Sequence, residues 1–176
     1  MLGRFGRRLA DGRALAELMR SAEAVARSMG DGPPGAEHFL VASIEHPDGD
    51  ARRVFAEFGA TAASAREAIE AQYREALSRI GVGDAQASAA DGSPDIVAAE
   101  GSAPGGAPLP RLYDARESAR ALLRRMAEIQ GTAPFSSARV PAAIAMSEEG
   151  VAVRTLRGLG IDREALGAAA LARVRG

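Results

Sequence analysis

Gly35-Ala36-Glu37-His38-Phe39-Leu40-Val41-Ala42-Ser43-Ile44, the turn His46-Pro47-Asp48-Gly49, and Asp50-Ala51-Arg52-Arg53-Val54-Phe55-Ala56-Glu57-Phe58-Gly59 form a pattern that the chain writes twice. The second copy is Ser136-Ser137-Ala138-Arg139-Val140-Pro141-Ala142-Ala143-Ile144-Ala145, then Ser147-Glu148-Glu149-Gly150, then Val151-Ala152-Val153-Arg154-Thr155-Leu156-Arg157-Gly158-Leu159-Gly160. A shift of 101 positions aligns the two without a gap. Gly49 then meets Gly150, Ala51 meets Ala152, Arg53 meets Arg154, Phe55 meets Leu156, Phe58 meets Leu159 and Gly59 meets Gly160. Each copy of a repeat is one supersecondary unit that buries its apolar face against a neighbour. The chain therefore reads as a tandem.

Outward from the first copy, residues 13–29 place Leu15, Leu18, Met19, Ala22, Val25, Ala26 and Met29 at three- and four-residue spacings, which predicts an amphipathic helix. Gly30-Asp31-Gly32-Pro33-Pro34-Gly35 ends it. A second helix is expected over 36–45 and a third over 50–58, with Gly59 as a left-handed C-terminal residue. Thr61 or Ser64 caps a fourth, whose stripe is Ala65, Ile69, Tyr73 and Leu77. The second copy repeats the order: a helix over 114–129 with Ala115, Ala119, Leu122, Leu123 and Met126, a break at Gly131-Thr132-Ala133-Pro134, a helix capped by Ser137, a third over 151–159, and a fourth capped by Asp162. The expected core is Phe39, Leu40, Ile44, Val54, Phe55, Phe58, Ile69 and Leu77 in the first copy, and Val140, Ile144, Leu156, Leu159, Ile161 and Leu166 in the second. Between the copies, 81–110 is rich in Gly, Ala, Ser and Pro. It carries Asp84, Asp91, Asp95 and Glu100, no Arg, and one apolar pair, Ile96-Val97. Such a composition buries too little to offset its ordering, so it reads as a flexible linker. The expected organisation is a first repeat over 1–80, the linker over 81–110, and a second repeat over 111–176, the two repeats packing together as one all-α domain of about eight helices.

Composition narrows the function. The chain has 176 residues, 47% of them apolar and only 4% aromatic. A core of Ala, Leu and Val suits closely packed helices better than a sandwich or barrel. The net charge of −1 supplies no global attraction to nucleic acid or anionic membrane. With no cysteine there is no disulfide, thiolate metal site or Cys nucleophile. All 22 basic residues are Arg, an absence of Lys that reads as GC-rich coding bias and rules out a P-loop and Schiff-base chemistry. No apolar run approaches a membrane span, and Met1-Leu2-Gly3-Arg4-Phe5-Gly6-Arg7-Arg8 lacks the apolar core of a secretory signal, so the expected location is the cytoplasm. No triad, ordered carboxylate pair or phosphate loop suggests an enzyme, and no cofactor is implied.

The repeated four-helix unit, with Gly35-Ala36-Glu37-His38-Phe39-Leu40 opening the second helix, resembles the N-terminal Clp repeat domain of the ClpA, ClpB and ClpC unfoldases, ClpC most closely. The acidic Gly turns Asp48-Gly49 and Glu149-Gly150, and the endings Phe58-Gly59-Ala60-Thr61 and Leu159-Gly160-Ile161-Asp162, carry the resemblance further, as does the ClpC-like opening Met1-Leu2-Gly3-Arg4-Phe5. It covers residues 1–80 and 111–176. It implies two pseudo-symmetric four-helix repeats and a non-catalytic module that binds peptides, client proteins, adaptors or other N-domain ligands. With no ATPase ring following the second repeat, such a module would modulate Clp-dependent proteolysis as an adaptor, a competitor or a sink. The resemblance also raises phosphoarginine, which some ClpC domains bind through the motif Glu of each repeat and a Thr near the start of its first helix. Here Glu37 is kept in the first copy, whereas Ala138-Arg139 stands at that place in the second; the Thr positions fall on Gly6 or Gly12 and on Tyr113. Leu2 and Phe5 correspond to residues bordering a hydrophobic groove between the repeats. The candidate binding residues are thus Glu37, His38, Leu2, Phe5, Tyr113 and Arg139.

Each has a plainer reading. Glu37 is also a first-turn acid favoured by the helix dipole, and His38 a packed or capping residue. The two histidines do not suggest a metal: eight residues along one helix separate His38 and His46 by about 12 Å and leave them about 80° out of register. Arg116, Arg120 and Arg124 form a helical stripe with Arg125 beside it. Glu117 and Glu128 partly neutralise it, and no aromatic residues interleave it, so nucleic-acid binding is a minor alternative. A structural or dimerisation module with a decayed binding surface is the main one.

Overall fold

The computed structural model describes residues 2–79, 110–129 and 134–175, with side chains from 10 onward in the first stretch and from 117 in the second. It is all-helical: α1 (Leu2–Ser28), α2 (Ala36–Glu45), α3 (Asp50–Glu57), α4 (Ala62–Arg79), α5 (Pro110–Glu128), α6 (Arg139–Ala145), α7 (Val151–Gly158) and α8 (Arg163–Arg175). No strand occurs among the described residues.

Local chemistry accounts for most boundaries. After α3, Gly59 takes φ +69, its N–H donates to Ala56 O, and Ala60 N–H reaches back to Phe55 O. After α7, Gly160 also takes φ +69, with Gly160 N–H on Arg157 O and Ile161 N–H on Leu156 O. These are the same left-handed closure, available cheaply only to glycine. Thr61 and Ser64 both serve the start of α4: Thr61 Oγ1 accepts from Ser64 N–H and Ser64 Oγ accepts from Thr61 N–H. That is a reciprocal cap. Asp162 Oδ1 accepts from Ala165 N–H at 2.8 Å and caps α8.

Two helices start earlier than periodicity predicts. α1 begins at Leu2 rather than Arg13, because Gly3, Gly6 and Gly12 weaken the pattern without breaking the hydrogen-bond ladder. α5 begins at Pro110, which the linker expectation had included; proline fits the first helical position, where its missing N–H has no intrahelical partner anyway. The rest of the 81–110 linker and the break at 131–133 lie outside the described residues.

α2 and α6 are the central helices, buried along Glu37–Ile44 and Val140–Ile144. α2 packs against α1, α3, α4, α5, α6 and α7, and α8 rests on α6 and α3. A single apolar cluster draws on all eight helices, from Leu18 and Val25 of α1 through Phe39, Leu40, Phe55, Ile69, Leu122 and Ile144 to Leu156 and Leu166. Of the expected core, Phe58 and Leu159 are only partly buried and Leu77 is 44% exposed. The last has a simple cause. α4 has 18 residues to the 10 of α2, so its final turns overrun the helix they pack on. No helix among the described residues is long and apolar enough to cross a membrane.

Candidate functional site

Glu37 and His38 stand at the start of α2 and are buried, 3% and 1% exposed. Both are held from within the fold. The His38 Nδ1 accepts from the Gly35 N–H at 2.9 Å, and Nε2 lies 2.9 Å from Asp31 Oδ2. A nitrogen that accepts a backbone N–H carries no proton, so Nε2–H donates to Asp31 and the ring is neutral. The 3.6 Å approach of Nδ1 to Glu37 is therefore not an ion pair. The Glu37 carboxylate folds back over Gly35, where a Cβ would collide with it, and accepts from Tyr73 Oη at 3.1 Å. Burial, then the Glu37 and Asp31 carboxylates, push the Tyr73 phenol well above its ordinary value, so it remains a donor. His38 acts as a packed cap, and Tyr73, expected only as an apolar stripe residue, closes a polar cluster with Asp31 and Glu37.

A second polar cluster joins the N-terminal half (α1–α4) to the C-terminal half (α5–α8). Asp48 accepts from Ser137 N–H at 2.7 Å, from Ser137 Oγ at 2.5 Å and from Asp50 N–H at 3.0 Å. Ser137 Oγ in turn accepts from Ala51 N–H, and Ser136 Oγ donates to Asp50 Oδ2 at 2.9 Å. Burial would raise the Asp48 pKa, but the hydrogen bonds from Ser137 and Asp50 and the neighbouring His46 outweigh it and hold the carboxyl below its usual range. Ser137 thus caps α3 of the other half rather than α6, which has no side-chain cap. Two further links cross between the halves, Ala36 N–H to Ser118 Oγ and Phe135 N–H to Asp11 Oδ1. Beside this seam, Phe135 lies between the His46 ring, 5.6 Å away between centroids, and the Arg139 guanidinium at 5.9 Å. His46 Nδ1 faces Asp48 Oδ2 at 3.3 Å.

The candidate side chains that are described, Glu37, His38 and Arg139, fall in two places. Glu37 and His38 belong to the Asp31–Tyr73 cluster, and Arg139 stacks on Phe135 at the seam. Leu2 and Phe5 lie near the start of α1 and Tyr113 in the first turn of α5, with side chains outside the described residues.

Open space lies elsewhere. A groove of about 420 Å³ runs between α5, with Ser118, Ala121 and Arg125, and the stretch Met146–Val153, which comprises the α6–α7 turn and the first residues of α7. Met146 is 49% exposed there, and Gly150 ahead of α7 makes no side-chain cap. A second groove, of about 480 Å³, lies between α4 and α7 and is lined by Gln72, Glu75, Ala76 and Arg79 facing Arg154, Arg157 and Gly158. Neither groove was visible as such in the sequence. The only signals were Arg125 beside the basic stripe and Arg154 as the partner of Arg53 in the repeat. No group of three or more metal-ligating side chains is gathered among the described residues. No protein-family model matches the chain, and no curated protein and no solved structure matches it either.

Proposed function

We propose that α1–α4 and α5–α8 are two pseudo-symmetric copies of one four-helix unit, and that the protein is a non-catalytic protein- or peptide-binding module similar to the Clp unfoldase N-domain. It engages clients, adaptors or other N-domain ligands and thereby modulates Clp-dependent proteolysis. The observation that carries this reading is reciprocal packing. α3 rests on α8 and α4 rests on α7, so the third helix of each half meets the fourth helix of the other. The matching glycine closures at Gly59 and Gly160 support it. The groove between α5 and the α6–α7 turn, with its exposed methionine and partly polar rim, offers the kind of surface such a module needs.

One observation at the start of α2 favours the structural alternative. Glu37 is occupied by Tyr73 and wrapped over Gly35, so the acid that would meet a guanidinium is already engaged. Phosphoarginine binding at Glu37 would require that cluster to open.

Capture tests the reading. The purified chain is immobilised, lysate of its own organism is passed over it, and Met146→Asp is run alongside. Recovery of a Clp ATPase or its adaptors, lost with Met146→Asp, is the expected result. Retention of neither by the wild-type chain would leave the structural alternative.

A further inference from the structure

We infer that the groove between α4 and α7 is a docking site for an acidic peptide segment. The inference rests on the binding-module reading and names a ligand chemistry and a place that the reading leaves open.

The argument begins with spacing. Gln72, Glu75, Ala76 and Arg79 fall at i, i+3, i+4 and i+7 and so form one face of α4, while Arg154 and Arg157 fall at i and i+3 on α7. The packing of α4 against α7 sets these two faces across one groove. Its small residues are Ala76 and Gly158, and a Cβ built at Gly158 would meet only the Gln72 amide, at 3.8 Å. A groove with small residues and a polar lining suits an extended chain better than a bulky apolar anchor.

Charge decides the occupant. Arg79, Arg154 and Arg157 stand against the single acid Glu75. Arg79 is paired with Glu75 at 2.5 Å, and that pair is largely exposed. Arg154 and Arg157 are exposed and make no side-chain hydrogen bond or ion pair among the described residues. Guanidinium groups present a planar fork of donors that matches carboxylates in bidentate geometry. The Gln72 amide adds a donor and an acceptor suited to a peptide backbone. Glu75 argues against nucleic acid, since it would face a continuous run of phosphates, and the chain as a whole carries a charge of −1.

The test uses the full chain and a fluorescently labelled synthetic peptide of alternating Glu and Ala, read by anisotropy. A Lys–Ala peptide and a single-stranded oligothymidylate of equal length serve as controls. The acidic peptide should bind, with an affinity that falls as salt rises. Arg154→Ala combined with Arg157→Ala should weaken it by about tenfold or more. Arg154→Glu with Arg157→Glu should shift preference to the Lys–Ala peptide. Both positions are exposed, so an unchanged thermal midpoint confirms folding in each variant. No binding of the acidic peptide by the wild-type chain would overturn the assignment, as would equal binding by the double-alanine variant. Equal or tighter binding of the oligothymidylate, lost in the same variant, would overturn the peptide assignment in favour of nucleic acid. Capture of Clp components is read separately: its success without peptide binding sinks the groove alone, and peptide binding without capture sinks the Clp reading alone.

Discussion

Tyr73 and Glu37 hold together a buried carboxylate that would otherwise lack a side-chain donor. Tyr73→Phe keeps the ring and removes only the O–H, leaving Glu37 desolvated. We expect it to lower unfolding free energy by about 1–3 kcal/mol in urea titrations. A change within error would mean that the carboxylate is satisfied in another way. Asp48 supplies a pH test. Its folded-state pKa lies below the ordinary value of 3.8, so its stabilisation is fully present above that value and is lost as pH falls through the lower, folded value. Ser137→Ala removes one of the groups that hold it down. The acid limb of the thermal midpoint should then move to higher pH, and α3 loses the hydroxyl that receives Ala51 N–H. At this scale the sequence was half legible. Glu37 and His38 were identifiable by their place at a helix start, but their partners were not. Tyr73 lies 36 positions along the chain and Ser137 lies 89 beyond Asp48, and helical spacing carries no information about such pairs.

The helices are the most legible level, because their ends are written in local chemistry. Gly59 and Gly160 both adopt φ +69 where the sequence places the shared Gly of the two copies. Gly59→Ala and Gly160→Ala should each cost about 1–2 kcal/mol, since both force a Cβ into the left-handed region. Nearly equal losses in thermal denaturation are predicted; a loss at only one site would contradict their equivalence. The misreadings at this level have physical causes. Periodicity cannot see that the glycines early in α1 are carried within a continuous helix. Nor can it see that α4 outruns α2 and exposes Leu77. Ser137 looked like a cap for the helix beside it, and the fold turns its hydroxyl to α3 instead.

At the scale of the whole molecule, the two halves complete each other. Hydrogen bonds from Ala36, Ala51 and Phe135 N–H groups end on side chains of the opposite half, and one apolar cluster spans all eight helices. A fragment of residues 1–79 would expose the α3 and α4 surfaces that meet α8 and α7. It should therefore lack cooperative thermal unfolding, whereas the full chain should show a single transition. Two independent transitions in the full chain would contradict this. The sequence pattern that recurs at a shift of 101 positions is visible without any structure. The grooves are not: one forms where α4 of the first half meets α7 of the second, the other where α5 lies beside the α6–α7 turn, and spacing along one helix carries neither. The functional account depends on those surfaces rather than on the occupied Glu37 cluster. Its most direct test is a reconstituted Clp protease from the same organism degrading a fluorescent client, with the purified chain titrated in. The account predicts a saturable change in degradation rate that is reduced when the chain carries Met146→Asp. A rate unaffected at any concentration of the chain would contradict it.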